Sequence, residues 1–450
     1  MLAGCLNRRV RRLLAPLVCL AALALIAPVA HAGAGGGSGG FGGGGGGFGG
    51  GGGGFGRGGG FGVGGGGRGF FSLGIVILLA AAILLVALVG AIGTLRYRRT
   101  RTRRAERVTL AAAEAAQDDP AFAADAVATS AAGLYVDCQT AWDGRDRDRL
   151  GELVGGDLLV EWHRRLDDLD RRRWHNRVTV HGAPQVEYLG LVNRAGEVDD
   201  RVVVRVTAHQ DDWIELTDGG VLNREGAASR TVAVREWWTL ARRDGRWIVV
   251  SIEQDAEGAH HLGDAIVARP DADERLSDEA VVELAQADAA PAGVATAEIA
   301  DLDFAGDART AAMDLALADG RFAPDVLEVA VRRAVAGWAE AIDGEDAPLL
   351  AVASPAVTDQ LLHPGDPSGR TRLVVRGPRV RALRITGLDA AAAPARMSVE
   401  VDVSGRRYVE DRDTTDVVSG SRSAEARFTE RWTLAIDGPA DNPWRIVASD

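Results

Sequence analysis

The sequence predicts an α+β fold in two consecutive copies, each with helices packed on a curved antiparallel sheet, and three observations predict it. An acidic residue leads twice into a pair of tryptophan-bearing strands, as EWWTLARRDGRWIVV from Glu236 to Val250 and as ERWTLAIDGPADNPWRIV from Glu430 to Val447. An apolar helix with one tryptophan opens each segment, Trp142 in the first and Trp338 in the second. Corresponding tryptophans (Trp142 and Trp338, Trp238 and Trp432, Trp247 and Trp444) lie 196, 194 and 197 residues apart, a period too long for a solenoid and suited to a duplicated domain.

Residues 1–32 read as a signal peptide. Arg8, Arg9, Arg11 and Arg12 form the basic end, Leu13 to Val29 the apolar stretch, and Ala30-His31-Ala32 the small-x-small cleavage pattern. An uncleaved first span is the alternative. Within the Gly-rich segment 33–72, the chain from Gly33 to Gly69 is almost all glycine, interrupted chiefly by Phe41, Phe48, Phe55, Phe61, Arg57 and Arg68. With so few side chains to bury, this stretch does not offset backbone ordering entropy and reads as a disordered tether. Weak self-association through the phenylalanines is the competing reading.

Residues 73–95 form an uncharged run, LGIVILLAAAILLVALVGAIGTL, which as a helix would extend about 34 Å against a hydrocarbon core of roughly 30 Å. It is read as a transmembrane helix. The basic juxtamembrane segment 96–118 follows, with Arg96, Arg98, Arg99, Arg101, Arg103, Arg104 and Arg107 opposed at first only by Glu106. Arginines beside a span mark its cytoplasmic side, so the C-terminal domains are expected in the cytoplasm, at a bacterial plasma membrane. The same arginines are candidates for binding lipid headgroups, at about 1 kcal/mol each.

The first domain, residues 119–256, opens with Val127, Ala131, Leu134, Cys138 and Trp142 at helical spacing; the second, residues 318–450, repeats this with Val331, Val335, Trp338 and Ile342. Asp143-Gly144 and Asp343-Gly344 end the two helices alike. Asp157 is placed to cap a further helix whose Leu158, Leu159, Trp162, Leu166 and Leu169 face inward. Strands are expected at 177–180, 185–192, 201–208, 231–241 and 246–252. In the second domain Met397, Val399, Val401 and Val403 alternate with Ser398, Glu400 and Asp402. Between the domains, 257–317 is an acidic, alanine-rich linker with its helical part at 277–285.

Composition excludes several functions. All 51 basic residues are arginine, so lysine nucleophiles, Schiff bases and P-loops are ruled out. All but one of the 63 acids lie beyond residue 107, and a strongly acidic soluble part argues against nucleic acid as a partner. Cys138 is the only cysteine after the signal segment, so neither an internal disulfide nor a cysteine-rich metal site is expected. The histidines show no zinc-ligand spacing; His209-Gln210-Asp211-Asp212 comes nearest to a metal cluster and reads as a solvated strand end. No metal ligands and no cofactor are assigned.

Tyr135 to Trp142 with Asp146 to Leu150, and Glu236 to Arg242 continuing to Trp247-Ile248-Val249, resemble the opening helix and closing hairpin of the Tim44-like family. Val417 to Ser421 resembles the linker that family places before its penultimate strand. The family belongs to the cone-shaped NTF2-like, cystatin-like superfamily and is named for the tether subunit of the mitochondrial inner-membrane protein translocase. Bacterial members with a signal segment, a glycine-rich tract and one span are similar to this chain from end to end. The resemblance implies tandem cone-shaped domains in a membrane-held, non-catalytic binding protein whose partner is a protein segment, a lipid or a small apolar ligand. A link to protein translocation is its furthest implication.

Strand alternation places Val234, Glu236, Trp238 and Leu240 on one face, and Ala426, Phe428, Glu430, Trp432 and Leu434 on the matching face of the second domain. Cone folds of this superfamily often hold a pocket there, so Glu236, Trp238, Glu430 and Trp432 are ligand-pocket candidates. The alternative function is an enzyme using Glu236 or Glu430 as general base; the structural reading pairs each acid with an arginine. Trp237, on the opposite face from Trp238, is the candidate for an exposed partner surface. A membrane organiser acting through the glycine tract is a third reading.

Overall fold

The computed structural model describes residues 73–224, 229–273, 302–439 and 442–450. The signal segment, the glycine tether and the helix expected at 277–285 lie outside the described residues. One described helix is long and apolar enough to cross a membrane, and none of its apolar window is buried. That helix, α1 (Leu73–Ala115), does not stop where the apolar run stops. Its last turns bring Val108, Ala112 and Ala115 into the core of the first sheet, so the first folded half begins within the segment 96–118 and not at residue 119.

After a 3-10 turn in which the Asp119 carboxylate accepts from Ala121 N (2.8 Å), α2 (Ala124–Asp143), α3 (Arg147–Leu153) and α4 (Gly156–Arg172) precede the first sheet. The stripe of α2 is buried throughout, from Val127 to Trp142. Asp157 does not cap α4. Gly155 holds the cap position, and the Asp157 carboxylate instead accepts from Asp346 N (2.9 Å) in the second half.

The sheet runs β1 (Trp174–Val192), β2 (Arg201–Leu216), β4 (Thr231–Arg243), β5 (Arg246–Gln254), with β3 (Val221–Asn223) beside β2; all pairings are antiparallel. The stretches 177–180 and 185–192 are parts of one long strand, broken in register between His181 and Gln185 and between Tyr188 and Gly190. Such irregularities bend a strand. At Gly190 a side chain would meet Val203 at 2.8 Å, so the bend needs a glycine. Asp244-Gly245, both at positive φ, close the β4–β5 hairpin in the way a two-residue turn requires.

The second half begins earlier than residue 318. β6 (Leu302–Phe304) pairs in parallel with the first long strand of the second sheet, and α5 (Ala308–Ala316) buries Ala308 and Ala312 in the second core. Then come α6 (Pro324–Asp343), α7 (Ala347–Val352) and α8 (Pro355–Leu362), followed by β7 (Thr371–Asp389), β8 (Arg396–Asp411), β9 (Val417–Gly420), β10 (Ala426–Ile436) and β11 (Trp444–Ser449). Sheet order is β11-β10-β8-β7-β6, with β9 on β8. Met397, Val399, Val401 and Val403 of β8 are all buried, as their alternation requires.

Local contacts recur in the two halves. Phe122 meets Trp247 edge-on at 5.5 Å, and Phe322 meets Trp444 edge-on at 5.7 Å. Each indole donates to a backbone carbonyl, that of Ala121 or Arg321. Trp142, Trp162 and Trp238 fill the first core; Trp338, Trp432 and Trp444 fill the second.

Candidate functional site

β4 carries Val234, Glu236, Trp238 and Leu240 into the space under α2, and all four are buried. Glu236 lies opposite Val206 on one side and Gln254 on the other. Its Oε2 accepts from the indole N–H of Trp238 two residues along the same strand (2.9 Å), while Oε1 has no hydrogen-bond partner among the described residues. The residue is 1% exposed, and burial pushes its carboxyl up to about 7 against the opposing pull of the Trp238 N–H and the Arg224 charge.

A polar chain runs beside it. The Tyr135 hydroxyl donates to Gln210 Oε1 (2.6 Å), leaving Gln210 Nε2 unpartnered. Asp212, wholly enclosed, accepts from Asn176 (2.8 Å) and from Arg224 Nε (2.6 Å), and Asn176 in turn accepts from the Trp142 indole (2.8 Å). The phenol of Tyr135 lies over Trp238 with ring centres 5.2 Å apart, and burial raises its pKa. The interior therefore holds a carboxyl that titrates near neutrality with one oxygen free. Such a group can accept a hydrogen bond from a ligand or exchange a proton with one. The structural reading, an arginine salt bridge, is filled at Asp212 and not at Glu236.

Glu430 is not its equal. It is half-buried, opposite Val401 on β8, and burial raises its pKa against the nearby charge of Arg407. Trp432 does not bond it; its indole N–H has no partner among the described residues, and its ring packs edge-on against Trp338 at 5.5 Å. An open cleft of about 470 Å³ is lined by Arg145, Arg173, Trp174, His175 and Glu215 to Thr217, and includes neither glutamate.

Two expectations fail. Trp237 is 1% exposed, because the 3-10 turn Gly258–Gly263 folds back over that face of β4 and stacks His261 on the indole (5.9 Å); it offers no partner surface. Arg104 is 3% exposed, donating from Nε to the Leu189 carbonyl and from Nη1 to the Asp264 carbonyl, both at 2.7 Å, so it is withheld from lipid. Arg96, Arg98, Arg99, Arg103 and Arg107 are exposed; the half-exposed Arg101 lies over the Tyr97 ring. His209 to Asp212 do not converge. Alternation divides them, with Gln210 and Asp212 inward and His209 outward on the middle of β2.

Sequence reasoning also missed a group that the fold assembles. Glu253, His260 and His261, with no recognisable motif, lie with their ligating atoms within 4.8 Å of one another. Glu253 is the penultimate residue of β5, and the two histidines follow on the turn that doubles back across it.

Comparison with known proteins gives one family. The Tim44-like domain model matches residues 108–254. No curated protein matches the chain. Among solved structures, the intermembrane-space region of the chloroplast protein ARC6 aligns at 13% identity over 28% of this chain and 95% of its own, with a TM-score of 0.23. An Ntf2-like protein involved in plasmid conjugation aligns at 10% identity over 72% of this chain and 94% of its own, with a TM-score of 0.18. Similarities that low carry no argument here. The family match, by contrast, begins at Val108, the residue at which α1 enters the first core, and ends at Gln254, the last residue of β5. Residues 108–254 of this chain are a Tim44-like domain.

Proposed function

We propose that the protein is a membrane-anchored, non-catalytic binding scaffold at the cytoplasmic face of a bacterial plasma membrane. Its second half is read as a divergent copy of the Tim44-like domain. What supports the anchored reading is a single continuity: α1 begins in an uncharged apolar run and ends as a core helix of the matched domain. The recurrent Phe122–Trp247 and Phe322–Trp444 contacts support the duplication. The indole rings that fill both interiors support a partner at the outer surfaces and the exposed arginines, a protein segment or lipid in preference to a small apolar ligand. A role in protein translocation, as for the family's namesake, would follow only from the identity of that partner.

Protease added to sealed spheroplasts and to inverted membrane vesicles tests the topology. Residues 104–450 should be digested only in the inverted vesicles, and digestion in spheroplasts would overturn it. For the partner, photo-crosslinking from exposed positions in intact membranes should trap a discrete protein. Co-flotation with vesicles containing phosphatidylserine should weaken when Arg96, Arg98, Arg99, Arg103 and Arg107 are replaced by glutamine, by about 1 kcal/mol for each arginine.

The enzyme reading rests on Glu236 alone, through its unpartnered oxygen and a pKa matched to proton transfer at neutral pH. Glu236→Gln separates the two: an unchanged partner complex favours the scaffold, and a lost turnover in a folded variant would favour catalysis.

A further inference from the structure

The seam between the two halves holds a buried cluster that neither reading above uses. Glu253 is 2% exposed at the end of β5. Its Oε2 lies 2.9 Å from His260 Nε2, and its Oε1 lies 2.9 Å from His261 Nε2. Asp343, the last residue of α6 in the second half, brings Oδ2 to 3.6 Å from His260 Nε2. On its other nitrogen, Nδ1, His261 faces Asp264 Oδ2 at 2.7 Å.

The pattern needs positive charge at one spot. With its Nδ1–H donated to Asp264, a neutral His261 would turn the lone pair of Nε2 onto a carboxylate oxygen, whereas His260 meets Glu253 and Asp343 through Nε2 alone and can donate there as a neutral ring. Either His261 carries an extra proton, or one cation sits among the three groups. The wider charge count agrees: Glu253, Glu257, Asp264 and Asp343 face Arg376 and Arg422, which leaves two negative charges when the histidines are neutral. The carbonyl end of α6 adds a further partial negative charge at Asp343.

We propose that Glu253, His260 and His261, with Asp343 as fourth ligand, form a zinc-class divalent metal site that ties the first half to the second. Two imidazole nitrogens and two carboxylate oxygens are a tetrahedral zinc donor set, for which ligand atoms stand roughly 3.3 Å apart; Glu253 turns Oε2 to His260 and Oε1 to His261, each at 2.9 Å, Asp343 Oδ2 stands 3.6 Å from His260 Nε2, and one ligand atom from each of Glu253, His260 and His261 falls within 4.8 Å of the others. Asp264 holds the His261 ring by its outer nitrogen, as carboxylates commonly hold zinc-bound histidines. The pocket is built for the rings. A side chain at Gly377 would meet the Cβ of His260 at 2.5 Å, and one at Gly258 would meet the Trp237 ring at 2.2 Å, so two glycines let the histidine-bearing turn lie between the sheets.

The full chain, purified in detergent, stripped with chelator and returned to pH 8, tests this with Zn²⁺ and Co²⁺ as the probes. Elemental analysis should find one zinc per chain after removal of excess, and Co²⁺ should give the intense visible bands of a tetrahedral site. His261→Gln and Glu253→Gln should each weaken Co²⁺ binding at least about 100-fold, and Asp264→Asn about 10- to 100-fold. His209→Gln, on an exposed position of β2, should leave it unchanged. A wild-type chain that retains no zinc and gives no tetrahedral Co²⁺ spectrum overturns the proposal whatever the variants do, and assigns the cluster to a protonated His261. Binding undiminished in His261→Gln overturns it equally.

Discussion

Replacing Glu236 by glutamine removes one ionisable group while keeping an acceptor for the Trp238 indole, so the variant isolates what the buried acid costs the fold. Burial moves the carboxyl from the usual 4.5 to about 7. Below pH 4.5 the acid is protonated in folded and unfolded chains alike and contributes nothing. Between 4.5 and 7 the unfolded chain releases its proton first, so stability falls as pH rises, and above 7 the loss is complete. At about 1.36 kcal/mol for each tenfold change in proton affinity, the loss amounts to about 3 kcal/mol. Measured against wild type, Glu236→Gln should therefore gain about 3 kcal/mol on going from pH 4.5 to pH 8, with the change centred between the two pKa values. Burial also raises the carboxyls of Glu257 and Asp343, but they are common to both proteins and cancel in the difference. Urea unfolding of the full chain in mild detergent, followed by tryptophan emission, reads the quantity, since all ten tryptophans lie between Trp142 and Trp444. A difference that stays flat within about 0.5 kcal/mol over that range would mean that Glu236 is solvated or otherwise paired, and the enzyme reading would lose its only physical support.

Three further substitutions and one control probe the fold by the same unfolding measurement. Arg104→Ala should cost about 2–4 kcal/mol, because it leaves the Leu189 and Asp264 carbonyls without their charged donor, while Arg103→Ala on the exposed side should stay within about 0.5 kcal/mol. Gly258→Ala should cost about 2 kcal/mol or more and speed hydrogen exchange in the turn Gly258–Gly263, since the added methyl would lie 2.2 Å from the Trp237 ring. Trp338→Ala should cost about 3–5 kcal/mol, as the ring is wholly buried against Trp432 and Phe428.

The sequence made the helix stripes and strand faces legible because each is a local periodicity that burial then enforces. Val127 to Trp142 on α2 and Met397 to Val403 on β8 needed no knowledge of any partner. Element ends were harder. The apolar run to Leu95 marks a membrane span, but nothing in the run says that the same helix continues for five more turns and ends as a core element at Val108, Ala112 and Ala115. The seven arginines after the span look alike in one dimension, and only carbonyls 85 and 160 positions away single out Arg104.

The burial of Trp237 and the gathering of the histidine pair share one cause: a single turn. Strand alternation correctly separated Trp237 from Trp238, and the inference that the Trp237 face is open failed because the chain after β5 doubles back over it. That fold-back depends on Gly258, which can lie against an indole where no other residue fits. It buries Trp237 and in the same movement carries His260 and His261 back to Glu253, seven and eight residues earlier. An acid at a strand end followed by a glycine and a histidine pair was the available signal, and it becomes one only when the glycine is recognised as the point of reversal. Neither half completes the cluster alone, since Asp343 and Arg376 come from the second. The turn therefore converts what would be an exposed aromatic face into the joint between the two sheets, and removing its glycine should loosen both at once.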